Sequence, residues 1–347
     1  METSSSPLDR FNNWIKESVT IKLASIGFLV LILLIPASWI ESLVHERQTR
    51  AAEVVTEISN KWSNAQTVTG PVLMIPFTEL ERTRRWEKGV QVEEVLETNR
   101  KAYFLPEDLS IASRITPQVL HRGIFDAVVY DAQLTLSAQF VKPSFEKWGI
   151  PNDRIRWNEA ALLVGITDLR GIADHPKVQS GARSFVSEPA KSLGLAGYRP
   201  ATEGGAAIRT EDTTTGMITL LQATKSEDLP LEFRIELSLK GSESLYVVPA
   251  GKTTEATLAG PWPSPSFDGA LLPVSRQLDD KEFSATWKVL SFNRPFSQQW
   301  RDAEQSLDGT EFGVRLVNQA DQYQKSIRTA KYAVLVIILA FTALFLV

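Results

Sequence analysis

The segment LASIGFLVLILLIPASWI, residues 23–40, contains no charged side chain and constrains the chain more than any other stretch. About 20 apolar residues in a helix span a bilayer, and a buried core helix is rarely so long without a charge. Lys22 and Glu41 bound the run, and no A-x-A cleavage pattern follows it, so it reads as an uncleaved signal anchor. A second uncharged run, YAVLVIILAFTALFLV, occupies residues 332–347, where the sequence stops. It reads as the incomplete start of a second span. The lipid bilayer is therefore the first expected partner.

Between the runs the hydrophobic period changes twice. Ile40, Val44, Ala51, Val55, Ile58 and Trp62 recur at helical spacing, predicting a juxtamembrane helix over residues 41–64 that continues the span. From PVLMIPF onward the apolar residues alternate with period two, with Gly, Pro, Ser and Asp between short segments. This predicts a mainly β domain over residues 65–316, β-sandwich-like, with a turn at Lys88-Gly89 and bulges or a corner near residues 123–141. Gly70-Pro71 is expected at the change from helix to first strand. A helical stripe through Leu316, Ala320, Tyr323, Ile327 and Ala330 predicts a second juxtamembrane helix over residues 317–331. The two stripes are expected to pair as a stalk, Val44 near Ile327 and Val55 near Leu316. Residues 1–22 are left as a cytoplasmic tail. The whole is mainly β on membrane-spanning and juxtamembrane helices, α+β overall.

The sequence excludes several chemistries. With no cysteine, it has no disulfide, thiolate nucleophile or Cys-based metal site. His45, His121 and His175 lie too far apart for a zinc pair on one helix face, and no metal or cofactor is expected. No G-x-S-x-G elbow occurs. A net charge of −4 without a basic stripe gives no expectation of nucleic acid.

The candidate catalytic residues are Glu159 and Asp168, in WNEAALLVGITDLRG. A Trp beside a buried Glu raises its pKa, and glycosidases use two carboxylates, which brings Trp157 in as a candidate binding residue. The competing reading is a strand, AALLVGI, between a capping Asn and a turn Asp, with Arg170 as ion partner. The loop GPWPSPSFDG, residues 260–269, offers Trp262 and Phe267 to a peptide or sugar, or packs them across an end of the β domain. Packing is favoured. The expectation is a protein with no catalytic residues. A cell-wall glycan hydrolase or a sugar-binding module is the alternative.

Six stretches resemble the CreD family, also described as Cet for colicin tolerance: NAQTVTGPVLMIPF, FLPEDLSIASRI, RGIFDAVVYDAQLTLSAQF, GITDLRGI, LKGSESLYVVPAGKTTEATLAGPWPSPSFDGALLP and FGVRLVNQADQYQKSIRTAKYAVL. The resemblance covers nearly the whole chain from Trp14. Where the family loop often reads Trp-Pro-His-Pro-Ser-Phe, this chain carries Ser264 in place of the histidine. The resemblance implies an inner-membrane protein with one N-terminal span, a large periplasmic domain and several C-terminal spans. It also implies control by a two-component envelope system and a role in envelope integrity. The lack of a convergent catalytic set beside the β pattern adds the expectation of an envelope protein or glycan as partner. It supplies no catalytic residue. Charge does not orient the chain, because Arg10, Lys16 and Lys22 face Arg47 and Arg50 across the first run, with Lys325, Arg328 and Lys331 before the second. Periplasmic placement therefore rests on the resemblance.

Overall fold

The structure is a computed structural model that describes residues 19–87, 90–195, 214–302, 305–316, 332 and 335–343. Two compact units divide it, Thr56–Val317 and a second formed from Met1–Val55 with Asn318–Val347.

Helix α1 (Val19–Trp62), whose residues from Thr56 onward belong to the Thr56–Val317 unit, carries the apolar run and continues unbroken past it. An 18-residue window within Leu23–Trp62 has mean hydropathy 2.4 and is wholly unburied. Phe28 and Leu31 are each 64% exposed and Trp39 is 72% exposed. Such a surface suits lipid better than water. Among the described residues this is the one helix long and apolar enough to cross a membrane. Of the expected second span, residues 335–343 are helical. The expected helix over 317–331, with Ile327, and the turn at Lys88-Gly89 lie outside the described residues.

The Thr56–Val317 unit is mainly β. Its strands are β1 (Gln66–Glu87), β2 (Val90–Phe104), β3 (Asp108–Arg122), β4 (Phe125–Gln139), β5 (Ala161–Ile166), β6 (Lys177–Ser180), β7 (Arg183–Phe185), β8 (Ser187–Ala190) and β9 (Gly216–Leu220). There follow β10 (Glu232–Ser242), β11 (Ser244–Val247), β12 (Thr253–Gly260), β13 (Pro265–Gly269), β14 (Ser275–Leu278), β15 (Phe283–Leu290), β16 (Gln299–Arg301) and β17 (Phe312–Leu316). Among the described residues they form two sheets. The first runs β13-β17-β11-β1-β5-β9-β8, with β2 beside β1 and β16 beside β2. The second runs β14-β15-β12-β3-β4-β10-β6-β7.

Both sheets contribute to one buried core. Trp287 of β15 meets Phe312 of β17 across the sheets, ring centroids 5.3 Å apart, and both are 0% exposed. The alternation that builds this core is cleanest in β3, where Leu109, Ile111 and Ile115 are buried while Asp108, Ser110, Ala112 and Arg114 are exposed. That is the period-two pattern of a sheet with one wet face.

Three expectations are corrected here. The helix ends at Trp62 and the first strand begins at Gln66, so Gly70-Pro71 is not the junction. It lies inside β1, where the register to β5 shifts between Thr69 and Val72. There β1 changes neighbour on its other edge, from β11 at Gln66–Val68 to β2 at Leu73 onward. Gly70 adopts φ +98°, which a side chain disfavours, and Pro71 falls where no ladder donor is required. Second, β4 pairs with β3 in unbroken register from Asp108↔Gln139 to Arg122↔Phe125, with no bulge. The apolar run Ala127, Val128, Val129 and Tyr130 is instead buried on both faces. Third, Leu316 closes β17 and is 3% exposed, with its amide on Glu243 O at 2.7 Å, so it is not part of a helical stripe.

Candidate functional site

A buried polar network lies where α1 ends. A helix leaves its last four carbonyls without partners, and no Gly or Pro at residues 61–65 supplies a local stop. The β domain supplies it instead. Arg170 donates to Asn60 O at 2.6 Å, and Ser242 Oγ donates to Ser63 O at 2.8 Å. The amide of Asn64 donates to Asp168 Oδ2 at 3.1 Å, and Asn64 O accepts from the Ser242 amide at 3.3 Å. Cations gather at the negative end of the helix dipole: Lys61 in the last turn, Arg170, and Lys240, whose Nζ sits 4.2 Å over the Trp62 ring.

Gln66 is the centre of this clamp and is 0% exposed. Its Nε2 donates to Ser63 Oγ at 2.8 Å, Asp168 O at 2.9 Å and Lys240 O at 3.1 Å, while its Oε1 accepts from the Asp168 amide at 3.2 Å. Its amide oxygen and nitrogen are thus both engaged, as a buried amide requires. Gly171 makes the approach possible, because a Cβ there would overlap Lys240 O and Gln66 Nε2 and lie 2.7 Å from Ser63 Oγ. Tyr130, buried, donates to Ser244 O at 2.7 Å, and burial pushes its phenol pKa up. Its ring lies where a Cβ on Gly241 would fall.

Asp168 therefore has a structural occupation. It caps the single turn Leu169–Gly171, accepting from the Arg170 amide at 3.1 Å, and binds the Arg170 guanidinium at 2.9 and 2.7 Å. It is 9% exposed. The Arg170 hydrogen bonds, joined by the Asn64 and Arg170 amides, outweigh desolvation and hold its pKa at about 2, against an ordinary 3.8. A carboxylate depressed in this way contributes stability above its unfolded pKa and loses it as pH falls through the folded value. Asp168→Asn should therefore lower the unfolding free energy by roughly 2 kcal/mol at pH 7. The difference from the parent chain should shrink below pH 4 and vanish near pH 2. Urea unfolding at a series of pH values checks both.

The other sequence candidates lie elsewhere. Glu159 is at the opposite end of β5, bound by Arg156 Nε at 2.7 Å, and Arg156 also holds Asn99 Oδ1 at 3.0 Å. Five residue steps of strand, about 17 Å, separate the two ends, well beyond the ~10 Å that a pair of glycosidase carboxylates spans. Trp157 is 8% exposed and meets Phe145 edge-on at 6.0 Å, inside an aromatic cluster with Phe77, Phe104 and Trp148. Trp262 and Phe267 are half-buried against the core. Phe267 meets Phe283 at 6.2 Å and Trp287 at 5.9 Å, both edge-on. The same loop is held by Asp268, which pairs with Arg315 at 2.8 Å. Ser264 is half-buried. Trp157 and Glu159 share one turn and Trp262 and Phe267 one loop, while Asp168 stands at the far end of β5 from Glu159. No group of His, Asp and Glu suited to a metal occurs among the described residues.

Sequence reading found Asp168 and its Arg170 partner but missed Ser63, Gln66, Gly171, Ser242 and Tyr130. Four of the stretches that carried the resemblance, those containing Gln66, Tyr130, Asp168 and Ser242, meet in the clamp.

Fold and clamp together define a class: a mainly β domain secured to the end of a helix whose apolar part suits a bilayer. The chain belongs to the CreD family, whose description, Inner membrane protein CreD, matches residues 18–347. It is 29% identical over 335 residues to the Inner membrane protein CreD of Escherichia coli (strain K12), an alignment covering 93% of this chain and 67% of that protein.

Proposed function

We propose that this chain is an inner-membrane protein whose sandwich-like β domain stands in the periplasm and supports cell-envelope integrity, or the response to envelope stress, by contact with an envelope protein or glycan, without catalysing a reaction. One observation carries the non-enzymatic reading. Each carboxylate the sequence offers for catalysis is already held by its own arginine, at opposite ends of one strand. Asp168, moreover, is needed where α1 joins the domain. A general acid requires a pKa near the working pH, and arginine pairing drives Asp168 the other way. Support for the location comes from the family description and from the exposed apolar face of α1.

Two results are expected. An alkaline phosphatase fused near Gly260 is active and a fluorescent protein fused there is dark; the reverse pattern defeats the periplasmic assignment. Glu159→Gln leaves envelope function unchanged and shifts stability by about 0.5 kcal/mol or less, as for an exposed ion pair. Loss of function in that variant, with hydrolysis of cell-wall glycan by the parent protein, would return the enzyme reading.

A further inference from the structure

The outer face of the second sheet carries a groove that nothing above uses. Its floor is small and its walls are long. One cross-strand row runs Lys288–Glu255–Ser110–Ser137–Arg234–Gln179, each residue directly opposite the next on β15, β12, β3, β4, β10 and β6. Ser110 and Ser137 form the floor. Glu255 with Lys288 stands on one side and Arg234 with Gln179 on the other. The wall strands β12 and β10 are three strand spacings apart, about 14 Å. The adjoining row, Thr253–Asp108–Gln139–Glu232, closes one end. The groove is open to solvent and offers about 820 Å³, against the ~300–1,000 Å³ usual for small-molecule sites.

We infer that this groove binds a short, uncharged oligosaccharide, with Ser110 and Ser137 as its floor. The charge pattern selects the class. Lys288 is paired with Glu255 at 2.8 Å and Arg234 with Glu236 at 3.2 Å, so both cations are neutralised locally. Asp108 and Glu232 at the closed end repel an anionic chain. What the lining presents is hydroxyl, amide and carboxylate groups at strand spacing, suited to a ligand dense in hydroxyls. A peptide is disfavoured, because extended peptides are held by main-chain bonds at a sheet edge. The main-chain groups of β12, β3, β4 and β10 are already engaged with neighbours on both sides. This inference rests on the reading that the domain works by contact. It names the glycan arm of that reading and moves it away from Trp157 and Trp262.

The test titrates the full chain in lipid nanodiscs with a β-1,4-linked N-acetylglucosamine tetramer, by calorimetry. Nanodiscs avoid a sugar-headed detergent. Binding in the millimolar range is expected. Ser137→Trp and Ser110→Trp fill the floor from an exposed position, and each should weaken binding at least tenfold with unchanged thermal unfolding. Arg276→Trp, on β14 and outside the groove, should leave it unchanged. No binding at about 10 mM tetramer overturns the inference. Binding unaffected by both floor variants overturns it too, as does tighter binding of a polar peptide of matched length. The phosphatase fusion reads location independently, so failure here does not touch that assignment.

Discussion

Gly171→Ala should destabilise the domain by about 3–5 kcal/mol, as much as a large core truncation. The added methyl meets two rigid neighbours, Lys240 O and Gln66 Nε2, and a third, Ser63 Oγ, at 2.7 Å. None is the free end of a flexible chain: the first is backbone, and the Gln66 amide is fixed by all its hydrogen bonds. Overpacking of this kind costs about 1–3 kcal/mol. Displacing Gln66 adds the desolvation of buried groups left without partners, about 1–3 kcal/mol for each. In urea unfolding the midpoint should fall by about 1 M or more. Asp168→Asn, which keeps the shape and removes one charge, should cost less than Gly171→Ala. A Gly171→Ala chain as stable as its parent would mean that the clamp is loose.

Trp287→Ala should cost about 3–5 kcal/mol, for a different reason. Trp287 is 0% exposed, and its Nε1 donates to Leu271 O at 3.1 Å. Its ring contacts Phe312 on the facing sheet and Phe267 in the loop over residues 260–269. Removing it opens a cavity between the sheets and strands the Leu271 carbonyl. The loop should loosen with it, so proteolysis near Pro261 should accelerate in Trp287→Ala and remain slow in Gly171→Ala. Equal sensitivity in both variants would contradict this division of the core.

The fold class was legible because period-two alternation is a local consequence of one buried face. PVLMIPF, LEFRIELSL, TTEATLAG, EFSATWKVL and EFGVRLV all fall in or across strands. Strand β3 went unread, although DLSIASRI alternates as clearly as any of them. Gly70-Pro71 misled because a Gly-Pro pair signals a break in helix or strand without saying which. Here it accommodates a change of neighbour within one strand, a fact set by β11 and β2, distant in sequence. The end of α1 was legible to within two residues, since the helical stripe closes at Trp62, but the reason for the stop was not. Its stop is written in Arg170 and Ser242, more than a hundred residues away. The same holds for Gly171, whose need is visible only once Gln66 and Lys240 are beside it. Asp168 was found for its chemistry, and the competing reading of a turn Asp with Arg170 matches its place in the fold.

The measurement that bears most directly on the account is hydrogen exchange at the amides of Asn64 and Gln66 in the parent chain and in Asp168→Ala, each in nanodiscs. The clamp predicts that the Asn64 amide, which donates to Asp168 Oδ2 at 3.1 Å, is strongly protected in the parent and loses that protection in the variant. Amides of β12 and β15, away from the clamp, should keep theirs. Unchanged protection at Asn64 in Asp168→Ala would contradict the assignment of Asp168 to holding α1 on the domain and would reopen its candidacy for chemistry.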